Sequence, residues 1–213
     1  MFFFSVLMAR AIRRIDPESS KPIIIGVAID GKSIVGNTDN YRAFPDFAFL
    51  DFSKESEKDA VADILRPTRE KLKAQACTEK ILCFVKKQKV ACELMKPLPL
   101  QTKIDLTQKA FIERAASVSA VVSYVKTKTF GPLDPYIKEL YGIAEPSHED
   151  AVCELKCINN SFFLTFIQTF AYEMLFNAFL KEMDSIGIPY EIKWKEPCKP
   201  SGVRFDGLEG IRI

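Results

Sequence analysis

The stretch from Ser119 to Ile192 constrains the fold of this 213-residue chain more than any other segment. It is predicted to form, in order, a strand, a two-strand hairpin, an amphipathic helix and a last strand. The Asn159-Asn160 pair favours a tight hairpin turn, and Gly187 is the expected stop of the helix. The predicted elements are strands Val118–Val125, Ala151–Ile158 and Phe162–Phe170, helix Tyr172–Ser185, and strand Ile188–Trp194.

The residues before this stretch predict further helices and strands. Ile23–Ile29 is apolar on both faces, as in a strand covered on both sides, and Phe47–Phe52 predicts a second strand. Residues 55–95 are predicted to be mostly helical, with a break or a new first turn at Pro67. Two amphipathic helices complete the pattern. The first, at the N-terminus, has Arg10, Arg13 and Arg14 on its polar side, and its apolar face consists of Phe4, Leu7, Met8, Ala11, Ile12 and Ile15. The second covers Thr107–Ala116 and is expected to turn Ile104, Phe111 and Ile112 towards the core. This order predicts an α/β fold, a mixed sheet covered by helices.

Composition and charge exclude several classes of protein. Thirty basic and 28 acidic residues give a net charge of +2, so no nucleic-acid partner is expected. The apolar run at the N-terminus is too short to span a bilayer and lacks the flanks of a signal peptide, which predicts a cytoplasmic protein without a membrane partner. The six cysteines form no C-x-x-C pair, and a single histidine cannot complete a usual zinc set, so no metal is expected.

Four segments, taken in order, resemble a known superfamily of enzymes. They are LMARAIRRIDPE, KPIIIGVAID, VVSYVKTKTFG and FLKEMDSIGIPYEI. Together they resemble the second half of chloramphenicol acetyltransferase-like proteins, a group that includes condensation domains of peptide synthetases and alcohol acyltransferases. The resemblance covers roughly residues 5–193 and implies that superfamily's two-layer sandwich. It predicts a half-domain over residues 1–195 and an irregular tail over residues 196–213.

The catalytic motif of that superfamily is missing from the sequence. Its general base is the histidine of an H-x-x-x-D-G motif, which abstracts a proton from the acceptor that attacks a thioester. The single histidine here, His148, lies in the polar turn PSHED, and glycines stand four residues before Asp30-Gly31 and Asp206-Gly207. Because the motif belongs to the first half of two-half members, the resemblance implies that the base comes from another half, and no catalytic residue is predicted in this chain.

Ser123 and Tyr124 are the predicted lining of a substrate channel. By resemblance they end a strand beside the cleft between two halves, where a hydroxyl would touch a thioester or a pantetheine arm; the alternative is ordinary strand residues. Strand alternation puts one of them inward and the other outward. Relatives read Y-V-G-K where this chain has Tyr124-Val125-Lys126-Thr127.

His148 is interpreted as a solvated loop residue. A basic run forms either a contact for phosphates of coenzyme A or a carrier protein, or simply a solvated helix face: Arg66, Arg69, Lys71, Lys73, Lys80, Lys86, Lys87 and Lys89.

Two functional hypotheses follow from these features. In the first, the chain is the C-terminal half of a condensation-type or alcohol-type acyltransferase. It would move an acyl group from a coenzyme A or carrier-protein thioester to a hydroxyl or amine, with no covalently bound cofactor, and its partner would be an N-terminal half that supplies the histidine. In the second, it is a non-catalytic interaction or scaffold protein, such as a homo-oligomer, that retains the fold. A thiol enzyme is the weakest alternative, because no base is placed to activate a cysteine.

Overall fold

The computed structural model describes residues 1–31, 45–54, 59–124, 130–142, 151–168 and 173–193. His148, Cys198 and the predicted tail from residue 196 lie outside these ranges. The strands are β1 (Ile24–Asp30), β2 (Pro45–Asp51), β3 (Ala120–Tyr124), β4 (Ala151–Ile158) and β5 (Ser161–Gln168). The helices are α1 (Phe2–Ile15), α2 (Val61–Gln75), α3 (Thr78–Met95), α4 (Leu100–Ala115) and α5 (Met174–Ser185), with a 3-10 helix over Gly131–Tyr136.

The five strands form one mixed sheet in the order β2-β1-β3-β4-β5. β1 pairs parallel to β3, and β3 pairs parallel to β4, whereas the outer pairs β1–β2 and β4–β5 are antiparallel. α1 lies against β1 and β3 and packs between α2 and α5. The predicted α/β class, a mixed sheet with helices on it, is therefore confirmed. β1 lies inside the sheet, which agrees with its apolar residues on both faces.

The sequence of α1 explains its place in the core. Leu7, Met8 and Ala11 from the predicted apolar face are fully buried, whereas Ile15 in the last turn is 40% exposed, so that face ends earlier than predicted. Two arginines from the predicted polar side bind Glu182 in α5. The Nε of Arg10 donates to Glu182 Oε2 at 2.6 Å, and the Nε of Arg14 donates to Glu182 Oε1 at 2.8 Å. The ion pairs join α1 to α5 beside the apolar contact.

The predicted hairpin and helix stop are both confirmed. Asn159 and Asn160 have φ values of 49° and 60°, as a two-residue turn of the hairpin type requires, and Ile158 pairs with Ser161 across it. Gly187 has a φ of 69°, which is the left-handed conformation common just after a helix. Its amide donates to Asp184 O at 3.0 Å, and the next amide, of Ile188, donates to Met183 O at 3.1 Å. These two bonds cap α5.

Several predictions about the other elements are wrong. α2 continues through Pro67, because Ile64 and Thr68 on either side are buried and hold the helix in place. The chain instead breaks between α2 and α3. α4 begins at Leu100, seven residues before the predicted start, and it does not face the core: Ile104 is 47% and Phe111 43% exposed.

The last predicted strand, Ile188–Trp194, is absent from its described part. Residues 188–193 form no ladder with the sheet. Tyr190 is 39% and Ile192 50% exposed, so the apolar alternation that predicted the strand lies largely in solvent. Among the described helices, none is long and apolar enough to cross a membrane.

Candidate functional site

The register of the strands decides which side chains share a face of the sheet. Val122, Cys153 and Phe166 lie side by side on β3, β4 and β5. Their face carries the helices, because Val122 and Cys153 belong to the core and the ring of Phe166 lies 5.5 Å from that of Phe176 in α5. Residues at the alternate positions point to the opposite face, away from α1 and α5.

Three polar side chains form a row on that opposite face, and we call Ser123, Glu154 and Thr165 the polar row. Ser123 pairs with Glu154, and Glu154 pairs with Thr165, so the row crosses three neighbouring strands. Ser123 is 9% and Glu154 6% exposed. A buried carboxylate is costly unless it is paired, and Lys156 supplies the partner, its Nζ lying 3.0 Å from Glu154 Oε1. The row therefore presents a paired charge between two hydroxyl groups.

Gly142 lies directly over the Glu154–Lys156 ion pair. A Cβ at this position would stand 2.6 Å from Lys156 Cε and still closer to the Glu154 carboxylate. Any other residue would have to displace the pair. The neighbouring ring of Tyr141 packs edge-on against Phe163 at 5.4 Å, on the same face of the sheet. Residues 130–142 thus cover part of the polar row.

Hydrogen bonds and an ion pair hold the covering segment, residues 130–142, in place. The Nδ2 of Asn159, in the hairpin turn, donates to Asp134 O at 3.2 Å and to Ile137 O at 2.9 Å. Lys193 forms an ion pair with Glu139, and the hydroxyl of Tyr141 donates to Glu139 Oε2 at 3.0 Å. Two causes raise the pKa of Tyr141 above its ordinary value: desolvation, which is the larger, and this hydrogen bond to Glu139. The neutral phenol therefore remains the donor at physiological pH.

Thr165 contributes an unsatisfied group to the polar row. Its Oγ1 is buried and has no hydrogen-bond partner among the residues that the structure describes. Leaving a buried polar group unpaired costs about 1–3 kcal/mol. A hydroxyl can donate one hydrogen bond and accept others, so this buried atom could pair with a polar group of a ligand only if the chain around it moved aside.

The two predicted channel residues lie on different faces, as strand alternation predicted. Ser123 belongs to the polar row, whereas Tyr124 packs against the core on the helix-covered face. Their role in lining a channel remains a prediction. His148 lies outside the described residues, so its prediction as a solvated loop residue stays untested.

The basic run is divided between two helices, since α2 ends before Cys77 and α3 begins after it. Its side chains are exposed, and Lys73 forms an ion pair with Glu70 at 2.9 Å. Because these charges lie on the surface of α2 and α3, they do not join the polar row.

The described cysteines lie apart from the polar row. Cys83 and Cys92 are exposed on α3, and Cys153 is buried on the helix-covered face. Burial raises the pKa of the Cys153 thiol to about 12, which leaves it protonated and inert near neutral pH. Among the described residues no group of three or more potential ligands could hold a metal ion.

Four residues of this site were not predicted from the sequence: Glu154, Lys156, Thr165 and Gly142. Glu154 offered one signal, because it is a charged residue in the middle of the strongly apolar strand AVCELKCI. Such a residue needs a partner on its own face, two positions along the strand, where Lys156 stands. The predicted Asn159-Asn160 turn places Thr165 opposite Glu154, whereas Gly142 offered no such signal, since only the path of residues 130–142 brings it there.

No protein-family model and no curated protein matches the chain. Solved structures do match it. A nonribosomal peptide synthetase bound to alpha-methyl-L-serine-AMP superposes with a TM-score of 0.51 and 15% identity, over 92% of this chain and 21% of that one. The chain has the condensation-domain fold. The predicted chloramphenicol acetyltransferase-like architecture is thus confirmed at the level of the fold.

Two further structures give similar comparisons. A mutant starter condensation domain of the rhizomide synthetase has a TM-score of 0.48 and 9% identity, over 88% of this chain and 41% of that one. A structure that concerns condensation domain-mediated chain release from the enacyloxin polyketide synthase has a TM-score of 0.49 and 12% identity, over 92% of this chain and 38% of that one. The chain therefore spans less than half the length of each of these solved chains. The synthetase with a TM-score of 0.51 shares the fold of this chain, and its 15% identity does not show a shared activity.

Proposed function

We propose that this chain is the C-terminal half of a condensation-type or alcohol-type acyltransferase. It works with a His-bearing half, supplied by a separate chain or by sequence outside the 213 residues. Its reaction moves an acyl group from a coenzyme A or carrier-protein thioester to a hydroxyl or an amine. The support is the fold shared over 92% of this chain with 21% of a peptide synthetase, together with the absence of H-x-x-x-D-G from the sequence.

The chemistry of acyl transfer assigns different roles to the two proposed halves. The histidine of the other half takes the proton from the acceptor, whose oxygen or nitrogen then attacks the thioester carbonyl. The carbon–sulfur bond breaks and the thiol leaves with a proton. No group in the polar row replaces an imidazole near neutral pH, because its hydroxyls are too weakly acidic and basic and its carboxylate is held by Lys156. This half therefore binds and orients the substrates.

In this proposal the polar row faces the substrate cleft. Ser123 and Thr165 lie on the face of the sheet opposite α1 and α5, and substrate entry would uncover the buried, unpaired Thr165 hydroxyl for a polar group of the substrate. The Glu154–Lys156 pair keeps the centre of the row neutral, which suits an uncharged acyl or amide-bearing arm. Tyr124, on the other face, packs against the core and supports the strand.

The test is reconstitution with a His-bearing half. The chain is mixed with a first half of a condensation-type enzyme that carries H-x-x-x-D-G, and release of coenzyme A is followed with acyl-CoAs of several lengths. We expect association, and a rate of release that neither half reaches alone. Thr165→Val should raise KM for the thioester severalfold, because it removes a hydrogen bond worth about 0.5–1.5 kcal/mol.

Thr107→Val is the matched control, since Thr107 lies on exposed α4 and carries the same hydroxyl. It should leave both KM and kcat unchanged. Absence of association and of coenzyme A release across the acyl-CoAs would refute the proposal. Self-association of the chain without any release would favour the non-catalytic scaffold.

A further inference from the structure

The α3–α4 hairpin leaves the body of the fold. Ile81 and Val85, early in α3, still contact the core. Among the described side chains from Lys86 to Ser119, none belongs to that core, and most are exposed. The two helices therefore project beyond the sheet, and residues 86–105, where α3 turns into α4, form what we call the hairpin tip.

Large apolar side chains at the hairpin tip lie in solvent. Val90 is 58%, Leu94 70% and Leu100 74% exposed. Val90 and Leu94 are four residues apart and so share one side of α3, and Leu100 begins α4 just after the turn. Scattered exposed apolar residues are ordinary on a surface, but three this exposed within residues 90–100 make the turn a candidate contact site.

Lysines surround these apolar residues. Residues 86–105 hold five lysines and two carboxylates, Glu93 and Asp105. One lysine, Lys96, forms an ion pair with Glu93 at 2.7 Å; both partners are mostly exposed, so the pair adds little to stability. The tip as a whole carries a net positive charge around an apolar centre.

The residue types favour a lipid surface over a protein partner. Protein interfaces are enriched in aromatic residues and arginine and depleted of lysine, and residues 86–105 contain no aromatic residue and no arginine. Lysines attract anionic headgroups, while leucine and valine enter the boundary between headgroups and acyl chains. A projecting turn also meets a flat bilayer without needing a groove to receive it.

We propose that the hairpin tip binds the surface of a membrane that contains anionic lipids. Leu94 and Leu100 insert into the headgroup region, and Lys86, Lys87 and Lys89 contact the lipid phosphates and carboxylates. The contact is peripheral, since no described helix can span a bilayer. It revises the expectation of no membrane partner, which considered spanning segments and not a surface contact. It stands independently of acyl transfer.

Vesicle sedimentation with the full chain tests this proposal. The chain should pellet with phosphatidylcholine vesicles that contain about 30% phosphatidylserine at low salt, and much less with phosphatidylcholine alone. Added salt should weaken binding, because it screens exposed charges. Replacing Lys86, Lys87 and Lys89 by Gln should lower the partition coefficient about a hundredfold, at about fivefold per lysine. Leu94→Ser with Leu100→Ser should lower it by at least about tenfold.

Matched variants separate the tip from the rest of the surface. Gln at Lys21, Lys138 and Lys181 removes the same charge from exposed positions elsewhere, and Leu133→Ser removes a leucine that is 61% exposed. Both should keep most of the binding. Equal losses in the tip and control variants would overturn the proposal, as would failure to pellet with anionic vesicles. A change of oligomeric state in the Leu94→Ser/Leu100→Ser variant would also overturn it, because a second copy would then cover the tip.

Discussion

Replacing Glu182 should be among the most damaging single changes in this fold. Its side chain is fully buried, and it accepts hydrogen bonds from Arg10 and Arg14 across the contact between α1 and α5. Glu182→Ala leaves the nearly buried Arg10, whose side chain is 12% exposed, without its carboxylate partner, while its Nη1 still donates to Asp59 O. Breaking a buried pair in this way costs about 3–5 kcal/mol. At about 2–4 °C per kcal/mol for a chain of this size, Tm should fall by about 6–20 °C.

Exposure predicts how the two arginines differ. The side chain of Arg14 is 38% exposed, so Arg14→Ala should cost at most about 1 kcal/mol. Arg10→Ala should cost more, because Arg10 is nearly buried and its loss leaves Glu182 with one partner. The double variant Arg10→Met/Glu182→Leu should recover much of the stability, since apolar side chains of similar volume often replace a buried ion pair without loss.

Urea unfolding followed by circular dichroism measures these differences. The midpoint should move in the order Glu182→Ala, Arg10→Ala, Arg14→Ala from the largest to the smallest loss, with the slope m unchanged. A loss below about 1 kcal/mol for Glu182→Ala would refute the reasoning, because it would mean that water reaches the ion pair. Equal losses for the two arginines would show that exposure does not decide their contributions.

Three further predictions concern single positions. With a thiol reagent at pH 8, the exposed Cys83 and Cys92 should react in the folded chain. Cys153, whose pKa is raised to about 12, should react only after unfolding. Fast labelling of Cys153 in the folded state would contradict its burial. Because the folded Cys153 thiol keeps its proton where an unfolded thiol loses it, the free energy of unfolding should fall as the pH rises through about 9, and Cys153→Ala should reduce that fall in pH-dependent urea titrations. Gly187→Ala should lower the free energy of unfolding by about 1 kcal/mol because its φ of 69° disfavours a Cβ, and an unchanged urea midpoint would count against this cap.

The sequence alone determined the local elements that carry their own chemical signal. The apolar period of α1, the Asn159-Asn160 turn and Gly187 each predicted a structure that is present, because backbone preference and packing agree there. The doubly apolar β1 likewise predicted a strand inside the sheet. These signals depend on residues close together in the chain, which sequence patterns record.

The tertiary structure decided where those elements lie and which side chains meet. Periodicity marks Ile104 and Phe111 as apolar but cannot tell a core from a projecting hairpin, and residues 188–193 alternate like a strand but form no ladder with the sheet. The polar row arises because register aligns Ser123 of β3 with Glu154 and Thr165 of the β4–β5 hairpin, which follows much later in the chain. The two-residue turn fixes the Glu154–Thr165 pairing, but the pairing of β3 with β4 depends on the packing of the whole sheet, so only the folded chain brings Ser123 to this pair.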